Sequence, residues 1–121
     1  MIDIKNYDEN NIFAKILRKE IPSDVLYEDE EVYAFKDINP QAPVHILIIP
    51  KKAFCSFTDF SSHAKEDTIV SLVRSIEKIA KDLKLNDGYR VISNVGSNGC
   101  QEVPHFHLHL LAGKNLGRMV P

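Results

Sequence analysis

Three of the five histidines in this 121-residue chain stand at alternate positions of one apolar run, Pro104-His105-Phe106-His107-Leu108-His109-Leu110-Leu111. An extended strand sends successive side chains to opposite faces. The spacing therefore predicts His105, His107 and His109 on one face, and Phe106, Leu108 and Leu110 on the other, toward a core. A helix would fan the imidazoles through about 200°. Groups that titrate near pH 6.5 suit three kinds of work. The row can be the polar outer face of a sheet. It can hold a metal, because His at i and i+2 of a strand can share an ion. Or one imidazole can be the nucleophile of phosphoryl or nucleotidyl transfer while the others orient it and move protons.

The neighbourhood of the row bears on these readings. Val95-Gly96-Ser97-Asn98-Gly99-Cys100-Gln101 runs directly into the histidines. Its glycines permit close approach and positive φ, and its N–H groups suit an anion-binding concavity. Asn94 offers an amide donor or a turn cap. His45 lies inside the apolar run Val44–Ile49. It is either a satisfied core histidine or, if its strand neighbours the histidine strand, a partner that sets a tautomer. Asp37, in a proline-bounded segment, can accept from ribose hydroxyls or bond its own backbone. His63, among polar residues, reads as surface. A structural zinc wants four ligands, commonly paired cysteines; Cys55 and Cys100 have no C-x2-C partners, so only a three-histidine catalytic zinc stays open.

The elements that must position these groups follow from periodicity. Asn10 or Asn11 can cap a short helix with Ile12, Phe13, Ile16 and Leu17 on one face, and Pro22 lies beyond its end. Val25–Glu28 and Glu31–Lys36 read as strands joined by the acidic turn Glu28-Asp29-Glu30. Asp37 to Pro43 is a loop, because its prolines forbid regular pairing. Val44–Ile49 reads as a central strand ended by Pro50. From about Ser62 to Leu83 the period becomes helical, with Ile69, Val73, Ile76, Ala80 and Leu83 on one face and Leu72 and Ile79 alongside. Ser62 is the expected cap, Glu66 and Asp67 suit the first turns, and Gly88 marks the exit. Tyr89–Asn94 is the next strand, and the tail from Gly113 is irregular. The sum is one α+β domain over residues 1–121: an antiparallel sheet, one long helix on one face and a short N-terminal helix.

Composition is that of a globular protein, 44% hydrophobic and 26% charged, with a formal net charge of -2. The lysines are spread along the chain, which argues against nucleic acid as a partner. Two cysteines make no disulfide framework and suit a reducing compartment. Met1 to Asn6 lacks the apolar stretch of a signal peptide, and no run approaches the ~20 apolar residues that span a bilayer. A cytoplasmic location, with no membrane partner, is the expectation.

His105-Phe106-His107-Leu108-His109-Leu110-Leu111 fits the His-φ-His-φ-His-φ-φ pattern (φ apolar) of the histidine triad (HIT) superfamily. Ile12 to Ile16, Glu20-Ile21-Pro22, Phe35 to Pro43, His45 to Lys51 and Gly99-Cys100-Gln101 resemble its histidine triad nucleotide-binding (Hint) branch. The resemblance spans nearly the whole chain. It implies a homodimer whose two sheets join into one, a purine nucleotide pocket in each subunit, and no metal or cofactor. It implies hydrolysis of the phosphorus–nitrogen bond of adenosine or guanosine 5'-phosphoramidates through a covalent nucleotidyl-histidine. Position by position, His107 corresponds to the nucleophile, while His109 and His45 match flanking histidines that handle phosphate contacts and protons. The main-chain carbonyl of His105 is expected to hold the His107 ring. Asp37 and Ile38 match ribose contacts; Phe13, Ile16 and Phe35 match the walls of the base pocket; Asn94, Gly99, Gln101 and Glu102 match the phosphate side.

The chain departs from the family pattern in places. Cys100 stands where a second glycine is expected, Glu102 where animal members have Ser, and the tail lacks their tryptophan. A dinucleoside polyphosphate hydrolase, from a sister branch with the same row, is the near alternative; the Hint-like N-terminal half and the Asp37–Pro43 loop argue against it. A nucleotidyltransferase usually has Gln in place of the third histidine, which here is His109. From a different class, the alternative is a nucleotide-binding adaptor that merely inherited His107.

Overall fold

The structure, a computed structural model, describes residues 2–121. In chain order it comprises α1 (Ile12–Leu17), β1 (Val25–Glu28), β2 (Val32–Lys36), β3 (Val44–Pro50), α2 (Phe57–His63), α3 (Glu66–Asp82), β4 (Arg90–Ile92) and β5 (Leu108–Ala112). The strands make one antiparallel sheet in the order β1-β2-β3-β5-β4. No helix among the described residues is long and apolar enough to cross a membrane.

The continuous apolarity of β3 reflects cover on both faces. Ile46 and Ile48 pack with Val32, Ala34, Leu108 and Leu110 against Leu72 and Ile79 of α3. Leu47 and Ile49 point the other way and meet Phe13 and Ile16 of α1 with Tyr33 and Phe35 of β2. Two cores therefore sandwich the sheet, a large one under α3 and a smaller one under α1. The second lies on the face that carries the histidines, because Leu47 is paired with His109 across the ladder.

Several elements differ from the sequence expectation. Asn11 caps α1 as expected, its side-chain oxygen accepting from the Ala14 N–H at 2.9 Å, but Ile12, expected on the apolar face, is exposed while Phe13, Ala14 and Ile16 are buried. The expected helix from Ser62 to Leu83 is two helices. Ser56 caps α2 by accepting from the Asp59 N–H, and Asp59 reaches back to accept from the Cys55 N–H at 2.8 Å. Ser62 thus lies inside α2, and α3 begins after Lys65 with no side-chain cap, aided by Glu66 and Asp67 in its first turn. The buried stripe of α3 runs through Thr68, Leu72, Ser75 and Ile79, which turns Val73 outward. Lys84, at φ 56°, ends the helix in the left-handed conformation, with the Leu85 N–H closing onto the Ala80 carbonyl. Gly88 belongs to the turn that follows.

β5 also starts later than its alternation suggests. Its ladder with β3 ends at Ile48 opposite Leu108, so His105 and His107 precede the paired strand. The next partners on β3 would be Ile49 and Pro50, and Pro50 has no N–H to give. The Phe106 N–H instead donates to the Phe54 carbonyl at 2.7 Å, which keeps the segment extended without a ladder. Side-chain alternation survives: Phe106, Leu108 and Leu110 all enter the large core.

Leu110, fully buried between β3 and β4, should lose about 2–5 kcal/mol of stability on Leu110→Ala. Ser56→Ala, which removes the α2 cap, should cost about 1 kcal/mol. Urea titrations read both, and a neutral Ser56→Ala would mean that α2 does not depend on its cap.

Candidate active site

Where β3 and β5 part, the backbone of one histidine becomes the anchor of the next. His105 is fully buried, and its Nε2 lies 2.8 Å from the Pro50 carbonyl. A carbonyl only accepts, so Nε2 carries the proton and Nδ1 accepts from the Tyr7 hydroxyl at 2.6 Å. With its ring held on both sides, His105 presents its own carbonyl to His107 Nδ1 at 2.7 Å. The proton of neutral His107 therefore sits on Nδ1, and the lone pair of Nε2 is free. The Phe13 ring stands edge-on to His107 at 4.9 Å between centroids.

The neighbouring pair is ordered by the same logic. The Gln41 N–H donates to His45 Nδ1 at 3.1 Å, so neutral His45 carries its proton on Nε2. That nitrogen donates to His109 Nδ1 at 2.9 Å, which places the proton of His109 on its own Nε2. Asp37 Oδ2 lies 3.4 Å from His45 Nε2 and steadies the same proton, while Asp37 Oδ1 accepts from the Asn39 N–H at 2.8 Å. The His107 and His109 rings are 5.0 Å apart. A lone pair on one ring and an N–H on the other thus stand side by side.

Burial keeps these rings neutral. Desolvation pushes His105 down to about 4, and His107 adds to the shift. Desolvation likewise takes His109 to about 4, helped by His107 and His45 and opposed by Asp37. His107 is lowered by desolvation, against the pull of the His105 carbonyl and of the charges on Asp37 and Glu102. His45 is lowered by its burial, against Asp37.

His107 and His109 open onto a cavity of about 370 Å³. One wall is apolar, built from Phe13 and Ile16 of α1, Phe35 of β2 and Leu47 of β3. Asp37 and Ile38 stand on the loop beside it, and Asn94, Cys100 and Glu102 form the polar end. A more open depression of about 520 Å³, between Lys84–Arg90 and Gly113–Leu116, has no histidine in its lining.

Most residues singled out from the sequence meet here: Phe13, Ile16, Phe35, Asp37, Ile38, Asn94, Glu102, His107 and His109 face the cavity, with His45 and His105 behind them. Gly99 and Gln101 stand differently from the expectation that they face phosphate. Gln101 is buried, and its amide donates to the Cys55 and Val103 carbonyls while its oxygen accepts from the Gly96 N–H. It pins the loop instead of facing the cavity. A Cβ on Gly99 would stand 2.5 Å from the Val95 carbonyl, so glycine is needed there for the turn. The N–H groups of Gly96, Cys100 and Gln101 bond within the loop, which removes them as anion donors. Cys100 takes the left-handed φ of 57° where glycine was expected and remains exposed at the cavity.

Two contributors escape sequence reasoning. Tyr7 reaches His105 across 98 positions, and no pattern flags it. The Gln41 N–H fixes His45 through the loop conformation alone. Leu47, by contrast, shares its strand parity with His45 and could have been placed. Among the described residues, Asp37, His45 and His109 bring ligand atoms within 4.8 Å of one another, the one grouping that could hold a metal ion. Two of those atoms already share a proton, which a cation would have to displace.

The chain matches the family described as "HIT domain" over residues 18–116. It is 47% identical over 113 residues to the purine nucleoside phosphoramidase of Escherichia coli, covering 93% of this chain and 94% of that one. A solved histidine triad protein from Clostridium difficile is 49% identical and superposes with a TM-score of 0.83, over 93% of this chain and 98% of that one. The histidine triad nucleotide-binding protein from Candida albicans is 35% identical with a TM-score of 0.81, over 93% and 83% of the two chains.

Nitrogen-resolved NMR of the imidazoles checks the proton assignment. At neutral pH, His107 should carry its proton on Nδ1 and His45, His105 and His109 on Nε2, with His105 and His109 staying neutral until pH nears about 4. Because both titrate below the 6.5 of an unfolded chain, the unfolded state takes up more protons as pH falls. Stability present above about pH 6.5 should therefore be lost progressively toward pH 4 in thermal unfolding; histidines that titrate at 6.5 in the folded protein would refute the assignment.

Proposed function

This chain belongs to the HIT domain family, in its histidine triad nucleotide-binding branch, and on that ground we propose that it is a purine nucleoside phosphoramidase, cleaving the P–N bond of adenosine or guanosine 5'-phosphoramidates. It is a hydrolase of that family; the bond and substrate are the proposal. The observation that carries it is the pairing of a free lone pair on His107 Nε2 with a proton on His109 Nε2, at a cavity with one apolar wall. The activity of the Escherichia coli relative lends the substrate class.

The geometry supports a two-step reaction. His107 Nε2 attacks phosphorus, a P–N bond forms to the ring, and the P–N bond to the amine breaks with its electron pair leaving on nitrogen. The amine needs a proton, and His109 Nε2–H is the donor beside it, its orientation held by the His45 Nε2–H bond to Nδ1. The Nδ1–H bond to the His105 carbonyl stabilises the positive charge that the ring acquires as it becomes nucleotidylated. Water then attacks phosphorus, gives a proton back to His109 Nε2, and the P–N bond to the ring breaks, releasing the nucleoside monophosphate and returning the lone pair to His107. Phe13 and Phe35, edge to face at 5.6 Å, would supply a surface for the purine, and Asp37 and Ile38 of the same lining are the groups assigned to the ribose. No step needs a metal.

We also infer a homodimer joined at β4. It is the last strand of the sheet, paired on one side only, and Val91 is 38% exposed on it. Val70 and Val73 add 49% and 58% exposed apolar surface on α3. A second copy pairing at this edge would cover unpaired backbone groups and continue the sheet. Two free thiols, Cys55 and Cys100, suit work in the reducing cytoplasm.

Turnover of an adenosine 5'-phosphoramidate bearing a fluorescent amine should proceed in excess chelator. His107→Gly should slow it by at least about 10⁴-fold while still binding AMP; His45→Ala should slow it by roughly 10²-fold or more through loss of the bond that fixes the His109 proton on Nε2. No turnover by the wild type would refute the phosphoramidase reading and direct attention to dinucleoside polyphosphates. Sedimentation should give a dimer that Val91→Pro converts to monomer, and a monomeric wild type would remove the joined sheet.

A further inference from the structure

Glu102 is the acidic cavity side chain for which the reaction above finds no use. The other charged side chains there are accounted for: Lys36 lies 3.5 Å from Asp24, and Asp37 is tied to Asn39 and His45. Glu102 is exposed at the polar end of the cavity, and among the described residues no cation pairs with it. Its charge reaches His107. A phosphoryl anion held at His107 and His109 would therefore lie in the repulsive field of a carboxylate, and that placement is unfavourable unless the substrate brings its own positive charge. The nucleoside cannot supply it, since a base belongs against the apolar wall of Phe13, Ile16 and Phe35. The remaining part of the substrate is the amine side, and Asn94, Cys100 and Glu102 are the lining groups left to meet it.

We propose that Glu102 selects phosphoramidates whose leaving amine carries a second, cationic group, such as a diamine or a basic side chain. This rests on the phosphoramidase reading and narrows its substrate class. The carboxylate attracts the distant ammonium, repels an anionic tail, and leaves the reacting bond untouched. Because Glu102 is solvent-exposed, the selectivity is modest, up to about fivefold in kcat/KM, and falls as salt screens it.

The test uses three adenosine 5'-phosphoramidates of similar length, made from propane-1,3-diamine, butylamine and 4-aminobutyrate, so that their tails are cationic, neutral and anionic. Wild type should rank them in that order, and the ranking should shrink in high salt. Glu102→Gln should level all three, and Glu102→Asp should restore part of the order. An equal loss on all three in Glu102→Gln would overturn the proposal, because the carboxylate would then serve the common step at the His107 ring. Charge-blind turnover by wild type would overturn it as well. The same compounds are also ranked by binding to His107→Gly, with and without Glu102→Gln. If wild type cleaves none of them while His107→Gly still ranks them by charge and the double variant does not, the phosphoramidase reading fails and the role of Glu102 stands.

Discussion

The 2.7 Å bond from His107 Nδ1–H to the His105 carbonyl is the interaction on which the site depends. An imidazole with a mobile proton is a poor nucleophile half of the time; a backbone oxygen behind it removes the choice. That oxygen is only as well placed as the residue carrying it. His105 is therefore buried, clamped between Tyr7 and the Pro50 carbonyl, and kept neutral by its surroundings. A histidine that does not line the cavity thus does as much to define the lone pair as the ring that bears it. Gln41, His45 and His109 repeat the device, and the proton at the end of that chain is the complement of the lone pair beside it.

Two-sided burial of the sheet makes such fixing affordable. The α3 face supplies the large core and α1 the smaller one, so the histidine face is itself partly dry. Low polarity around the rings strengthens each of their hydrogen bonds and holds their pKa values down. Neutral imidazoles at pH 7 follow from this dryness more than from any neighbouring charge, because Asp37 and Glu102 pull His107 the other way.

Alternation at β5 and the unbroken apolarity of β3 made the two halves of the site legible in the sequence, since period-two patterning responds directly to which face is buried. The near-complete match to one family's motifs located the cavity residues. What resisted reading was set by backbone contacts instead of side-chain pattern. The start of the β5 ladder is decided by the missing N–H of Pro50 on another strand. The division of the long helical stretch was in fact signalled, by the Ser56-Phe57-Thr58-Asp59 cap, but Phe57, exposed and stacked on Phe106, does not advertise a buried helix face. Gln101 looked like a phosphate ligand and is a loop pin, because an amide serves either purpose and only the position of Cys55 and Val103 decides.

The Tyr7–His105 contact joins positions 98 residues apart, close to the two ends of the chain. Local pairings such as the β1–β2 hairpin need little chain closure, whereas this one closes a loop of 98 positions. A chain still emerging during synthesis can build the sheet from β1 to β3, yet the His105 ring gains its Tyr7 clamp only when the segment around it docks on the first ten residues. The anchor behind His107 is thus completed by long-range closure and not by local pairing, so it belongs to the last part of the chain to be ordered.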